Sequence, residues 1–139
     1  MYTIDDAIND LNHAKDISVN SNFLPDDRLI VHYEQSTGFT FSDDYKKLLK
    51  NTGNVFVGFL SLLVLNPKGE EHYGELKNAI REGREIGLPE SWLPICEDNS
   101  DYYCLTPNGE IRFWSHDGNV DEKWADLATW VKEVWLEGN

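Results

Sequence analysis

Sulfur, positive charge and long apolar runs are all scarce in this sequence. Its 139 residues include 2 cysteines and 1 methionine, and 12 lysines and arginines stand against 25 aspartates and glutamates. The most apolar segment, residues 55–65, is interrupted by Gly58 and Ser61 and is far shorter than the roughly 20 residues of a membrane-spanning helix. These shortages argue against a disulfide framework and a membrane span. The formal net charge of −13 argues against binding the phosphates of nucleic acids.

Apolar side chains are plentiful enough for one core. Hydrophobic residues make up 40% of the chain and aromatic residues 12%, which is enough for one domain but few for two. We predict a single domain over residues 1–139, with a leading helix and connector in residues 1–25 and the core in residues 26–137. The first residues lack a basic stretch followed by an apolar one, so we expect no secretory signal and a reducing, cytoplasmic location. Cys96 and Cys104 are then expected to be reduced core residues.

Three helices are predicted in the first third of the chain. Thr3 and Asp6 form a variant of the capping box, so a helix is expected to begin there. A second helix is expected from Asp26 until Gly38. Ser42 is a good N-cap for a third helix, which Gly53 is expected to end in a left-handed conformation.

The remaining two thirds predict strands between two further helices. The apolar segment 55–65 predicts one or two core strands, and a fourth helix is expected over about residues 73–86. A closing helix is expected over about residues 122–137, with Trp124 in its apolar stripe and Trp130 flanking that stripe. Between these helices, strand-like runs and turn residues predict a β-meander, with strands at Trp92–Cys96, Tyr102–Leu105 and Ile111–Trp114.

The usual patterns of enzymes and metal sites are not found. Asp98 could begin a calcium loop, but Gly109 stands at the twelfth position, where a helix-loop-helix site needs glutamate. His116 and Asp117 could serve a hydrolase, yet the other histidines have no regular metal spacing. We predict no catalytic residue, no metal site and no cofactor. An enzyme using His116 and Asp117 is kept as an alternative.

Acidic and aromatic residues are concentrated in the second half of the chain. Residues 90–122 contain eight acids and one base, Arg112. An ordinary solvated acidic face would explain the charge alone, but aromatic residues are interleaved with it, as in many tight protein interfaces. We predict a surface that binds a basic protein, formed by Glu97, Asp98, Asp101, Tyr102, Trp114 and Asp117.

Several short segments occur in an order that is known from a protein family. The first is Ser-Asp-Asp-Tyr-Lys-Lys-Leu-Leu-Lys-Asn-Thr-Gly at residues 42–53. Segments for a strand, a loop, a hairpin and a closing helix follow at Trp92–Asp98, Asp101–Leu105, Asn108–Ile111, Trp114–Asp117 and Trp124–Trp130. In this order, the segments resemble the SUKH family. Many relatives carry glycines before the aspartate of the loop, where Asn99 and Ser100 stand here.

The resemblance implies an α+β fold with a mainly antiparallel sheet flanked by helices. It also implies a cytoplasmic immunity protein encoded beside a polymorphic or contact-dependent toxin, often a nuclease. The expected partner is therefore a cognate protein toxin of basic charge, bound by a monomer without nucleic acid, membrane or cofactor. Eukaryotic relatives resemble regulatory modules, so a protein-interaction module without a toxin is the alternative.

Overall fold

Helices pack around one antiparallel sheet. The computed structural model describes residues 1–14, 24–58, 60–66, 74–118 and 120–138. Within them, the helices are α1 (Ile4–Ala14), α2 (Asp27–Thr37), α3 (Asp43–Thr52), α4 (Leu76–Glu85) and α5 (Leu127–Trp130), which continues as a π-helix (Val131–Leu136). The strands are β1 (Leu93–Asp98), β2 (Asp101–Leu105), β3 (Ile111–Trp114) and β4 (Lys123–Trp124). None of the described helices is both long and apolar enough to cross a membrane.

Side-chain caps fix the starts of the first three helices, as the sequence predicts. Thr3 and Asp6 each accept a hydrogen bond from the other's backbone N–H, at 3.2 and 2.9 Å. Asp26 and Ser42 cap α2 and α3 in the same manner by accepting from the third residue along the chain. Gly53 ends α3, but its φ of −65° shows that the predicted left-handed conformation is wrong.

The apolar segment 55–65 differs from its prediction. It forms no named strand among its described residues, and its pairing is limited to isolated bridges, including Val57 with Leu60. Gly58, with φ of 63°, lies between these two residues and interrupts the extended backbone. The segment is instead attached to the sheet edge, where Leu63 N donates to Ile95 O at 2.8 Å.

The predicted meander is confirmed. The four strands are antiparallel in the order β1-β2-β3-β4, and β2 pairs with β3 so that Tyr102 faces Trp114 and Tyr103 faces Phe113. Because side chains alternate along a strand, the Tyr102 and Tyr103 rows lie on opposite faces of the sheet. Gly109, with φ of 89°, makes the β2–β3 turn.

The end of the chain is partly strand rather than one long helix. Trp124 pairs in β4, and the helix begins after Asp126, whose carboxylate accepts from Thr129 N. Trp130 lies in α5, as predicted for the closing helix, and is completely buried. Its ring lies 5.4 Å from that of Tyr103 and 5.9 Å from that of Trp135, which makes it a centre of the core.

A buried carboxylate connects three segments. Glu75 is completely buried at the N-terminus of α4, where it accepts from the backbone N–H groups of residues 77 and 78. The Tyr33 hydroxyl on α2 donates to Glu75 Oε2 at 2.5 Å and accepts from Asn66 N at 2.7 Å. The fourth helix was expected to begin at residue 73, which lies outside the described residues; its described start is Leu76.

Candidate functional site: the acidic hairpin end of the sheet

One row of side chains crosses three strands at the end of the sheet. Glu97 pairs with Tyr102, and Tyr102 pairs with Trp114, so the three side chains share one face. The rings of Tyr102 and Trp114 are stacked, with centroids 6.3 Å apart and planes inclined by 27°. Tyr102 is only 4% exposed, whereas Trp114 is partly exposed. Tyr102 therefore packs beside the ring of Trp114 and offers little exposed area of its own.

The β1–β2 hairpin places two further carboxylates at its tip. Asp98 and Asp101 are register partners, joined by Asn99 and Ser100, whose φ angles are 53° and 71°. Two central residues with positive φ are the mark of the tight turns whose twist matches that of a hairpin. The turn thus holds Asp98 and Asp101 side by side.

A histidine connects the hairpin tip to the turn after β3. Asp101 Oδ1 accepts from His116 N at 3.2 Å and lies 2.7 Å from His116 Nδ1. On the other side of the ring, His116 Nε2 is 3.4 Å from Asp117 Oδ1. The side chain of Asp101 is 19% exposed and that of Asp117 is 84% exposed. Asp101 therefore holds the two turns together, and Asp117 is displayed to solvent.

Three carboxylates of α1 and α2 have lysine partners, and those of this site have none in the part of the chain that the structure describes. Lys46, Lys47 and Lys50 each form an ion pair with an acid of α1 or α2. In the described parts of the chain, the carboxylates at 97, 98, 101 and 117 have no ion pair with lysine or arginine, and those at 101 and 117 contact His116 instead. Within the described residues, no lysine or arginine therefore neutralises their negative charge.

The field of these carboxylates reaches the core. Burial raises the pKa of the Cys96 thiol to about 12, and Asp98 and Glu97 add to the effect. Burial also raises the pKa of Tyr103 to about 12, again with a contribution from Asp98. As predicted, Cys96 and Cys104 are buried free thiols.

The similarity to known proteins covers nearly all of these elements. The family model SUKH_5, described as SMI1-KNR4 cell-wall, matches residues 4–136. The chain belongs to the SUKH family. The match begins at the first residue of α1, which is therefore part of the family fold. No curated protein matches this SUKH chain.

A solved structure supports the same fold. The crystal structure of a protein from Pseudomonas syringae pv. tomato is similar to this SUKH chain with a TM-score of 0.85 and 26% sequence identity. The similarity covers 96% of this chain and 98% of the other. The antiparallel sheet flanked by helices that the resemblance implied is thus the fold of this SUKH domain.

The six predicted residues lie at one end of the SUKH sheet but not on one face. Glu97, Tyr102 and Trp114 share a face, and strand alternation places Asp98 and Asp101 on the other. The structure adds two apolar residues that the sequence prediction did not include. Phe56 is 46% exposed and Val64 is 37% exposed. Both line a groove of about 570 Å³ together with Glu97, Asp98 and Asn99. The sequence carries no signal for this, because Val55, Phe56 and Val57 are all apolar; the structure buries Val55 and Val57 and exposes Phe56.

The site offers no preformed metal centre. Among the described residues, no group of three or more histidine, cysteine, aspartate or glutamate side chains is arranged to hold a metal ion. His116 contacts two carboxylates, an arrangement that connects turns. What the site presents chemically is negative charge beside apolar area, which suits recognition of a basic protein surface.

Proposed function

We propose that this SUKH protein is an immunity protein that binds a cognate polymorphic or contact-dependent toxin and neutralises it by stoichiometric inhibition. The observation that carries the proposal is the group of carboxylates at the hairpin end of the sheet. Among the described residues they have no lysine or arginine partner, and the partly exposed Trp114 lies at the same end. The proposed setting is the cytoplasm, and the proposed role is binding rather than catalysis.

A nuclease is the toxin class that this surface fits best. Nucleases hold phosphates with positively charged surfaces, so a carboxylate-rich inhibitor can bind to the same surface as the substrate and block it. Long-range attraction between opposite charges also raises the association rate of the two proteins. The formal net charge of −13 works in the same direction as the local surface.

The six predicted residues have different proposed roles. Asp98 and Asp117 make direct contacts with cations of the toxin, and Glu97 extends the negative surface along β1. Trp114 provides apolar contact area, because a partly exposed aromatic ring is a common anchor in protein interfaces. Asp101 and Tyr102 hold the others in place, through His116 and through the stacked ring of Trp114.

The test begins with identification of the partner. The tagged protein is used for an affinity pull-down from its native cells, and the captured protein is identified by mass and expressed as a purified toxin. A partner with toxin activity that this protein abolishes at a one-to-one ratio supports the proposal. A non-toxic cellular partner would contradict it and would indicate a regulatory interaction module instead.

Charge reversal then tests the surface. The variant Asp98→Lys/Asp117→Lys replaces two carboxylates that cap none of the described helices. It should lower the rate of association with the toxin by about tenfold or more and reduce the salt dependence of that rate. The matched control is Glu82→Lys/Glu85→Lys, which makes the same change of net charge on the exposed side of α4. Equal effects of the two variants would show that net charge, and not this surface, matters.

A further inference from the structure

The groove beside the acidic surface combines apolar and negative walls. We call it the Phe56 groove; its volume is about 570 Å³. Phe56 and Val64, exposed by 46% and 37%, contribute apolar area, and Glu97, Asp98 and Asn99 contribute the polar wall. Large apolar side chains on a monomeric surface are common singly, but their grouping in a concave site indicates binding.

The backbone around the groove is fixed from several sides. Trp135 is completely buried, and its Nε1 donates to Leu60 O at 3.0 Å, which ties the segment 55–65 to the C-terminal π-helix. Leu63 N donates to Ile95 O, which ties the same segment to β1. Phe56 is therefore held outward by a frame built on core residues, and a ligand meets a preformed site with a small ordering cost.

The two walls together define the chemistry of the occupant. An apolar side chain entering the groove would remove area of Phe56 and Val64 from water, which is favourable. The same event would partly desolvate the carboxylates of Glu97 and Asp98, and this costs free energy unless a cation pairs with them. A purely apolar ligand and a purely basic ligand would each leave one wall unsatisfied.

We propose that the Phe56 groove receives one apolar side chain of the toxin, flanked in the toxin's chain by lysine or arginine that pair with Glu97 and Asp98. This inference rests on the proposed function and adds the anchoring point of the partner and its chemical character. Charge brings the toxin to the hairpin end of the sheet, and the groove retains it.

A short peptide tests the groove without the toxin. The probe is a synthetic peptide with a central phenylalanine flanked on each side by two lysines, titrated into the full-length protein while backbone amide shifts are recorded by NMR. Shifts should concentrate at residues 56, 64, 97 and 98. Two control peptides, one with alanine at the centre and one with glutamate in place of lysine, should bind at least about fivefold more weakly.

Matched variants assign the binding to the groove. Phe56→Ser should weaken the phenylalanine-lysine peptide by about fivefold or more, and Ile86→Ser, which removes a residue of similar exposure (50%) at the end of α4, should leave it unchanged. Both positions are exposed, so both variants should fold. The proposal would be overturned if the alanine peptide bound as tightly as the phenylalanine peptide, or if Phe56→Ser bound the phenylalanine peptide as tightly as wild type.

The kinetics with the purified toxin separate this inference from the proposed function. Phe56→Ser should raise the dissociation rate and leave the association rate nearly unchanged, because short-range packing acts mainly on dissociation. If Phe56→Ser leaves the dissociation rate unchanged while the wild-type protein still protects against the toxin, the role of the groove is refuted and the immunity function is retained. Peptide binding in the groove without any toxin among the captured partners refutes the immunity function and leaves the groove standing.

Discussion

The hairpin turn gives a sharp test of the relation between sequence and stability. Ser100 has a φ of 71°, and a left-handed conformation costs an ordinary residue roughly 1–2 kcal/mol. Glycine avoids this cost but loses about 0.5–1 kcal/mol through its greater freedom in the unfolded chain. Ser100→Gly should therefore raise the free energy of unfolding by about 0.5–1 kcal/mol. Asn99→Gly, at a φ of 53°, should raise the free energy of unfolding by less, because asparagine tolerates the left-handed region better than serine does.

Urea and thermal unfolding followed by circular dichroism would measure the effect. The Tm of Ser100→Gly should rise by roughly 2–5 °C for a domain of this size, with the same dependence of stability on urea as wild type. Ser100→Ala is the control, since it keeps the Cβ atom and should give no gain. A loss of stability in Ser100→Gly, or an equal gain in Ser100→Ala, would refute the argument from backbone strain.

Three further predictions concern buried and capping groups. Tyr33→Phe should lower the free energy of unfolding by about 2–3 kcal/mol in urea melts, because the buried Glu75 carboxylate loses a hydrogen-bond donor; an effect below about 0.5 kcal/mol would contradict this. The Cys96 thiol, with its pKa raised from 9.0 to about 12, should react with a thiol reagent near neutral pH only as the protein unfolds, and by linkage stability should fall as pH rises from about 9 toward 12. Hydrogen bonds from the Thr3 backbone and side chain lower the pKa of Asp6 below its usual 3.8. The free energy of unfolding should therefore fall as the pH drops below about 3.8, and it should fall less in Asp6→Asn. Equal loss of stability at acid pH in the two proteins would rule out this contribution.

Local signals made much of the fold predictable. The capping pair of Thr3 and Asp6 and the N-cap Ser42 act within three residues of their partners, so their effect can be read directly from neighbouring letters. The β2–β3 turn is equally local, because its residues include proline, asparagine and the glycine at position 109 with positive φ. Elements of this kind were placed within a few residues of their true ends.

Contacts between distant segments explain the errors. Trp124 fits a helical stripe by spacing, yet pairing with Ile111 of β3 places it in a strand. The sequence predicts Trp130 beside the apolar stripe but not its complete burial, to which the ring of Tyr103, far away in sequence, contributes. The segment 55–65 is as apolar as a strand, but the left-handed backbone at Gly58 interrupts it.

The candidate site was predicted as a set of residues but not as an arrangement. The order of the strands was implied by the meander, whereas the contact of Asp101 with His116 depends on strand register, which the sequence does not specify by itself. The contact of Tyr102 with Trp114 depends on the same register. Phe56 was missed because the side of the chain that faces water becomes evident only when Val55 and Val57 are seen to be buried.

The hydrogen bond from the Trp135 side chain to the Leu60 carbonyl has a consequence for folding during translation. A side chain near the end of the chain fills the core and fastens the segment that carries Phe56. A nascent polypeptide that still lacks Trp135 has an incomplete hydrophobic core, and the backbone around the Phe56 groove lacks its hydrogen bond from this residue. Folding to the binding-competent form is therefore expected only after translation has passed this residue, so that prematurely terminated copies would not capture a partner.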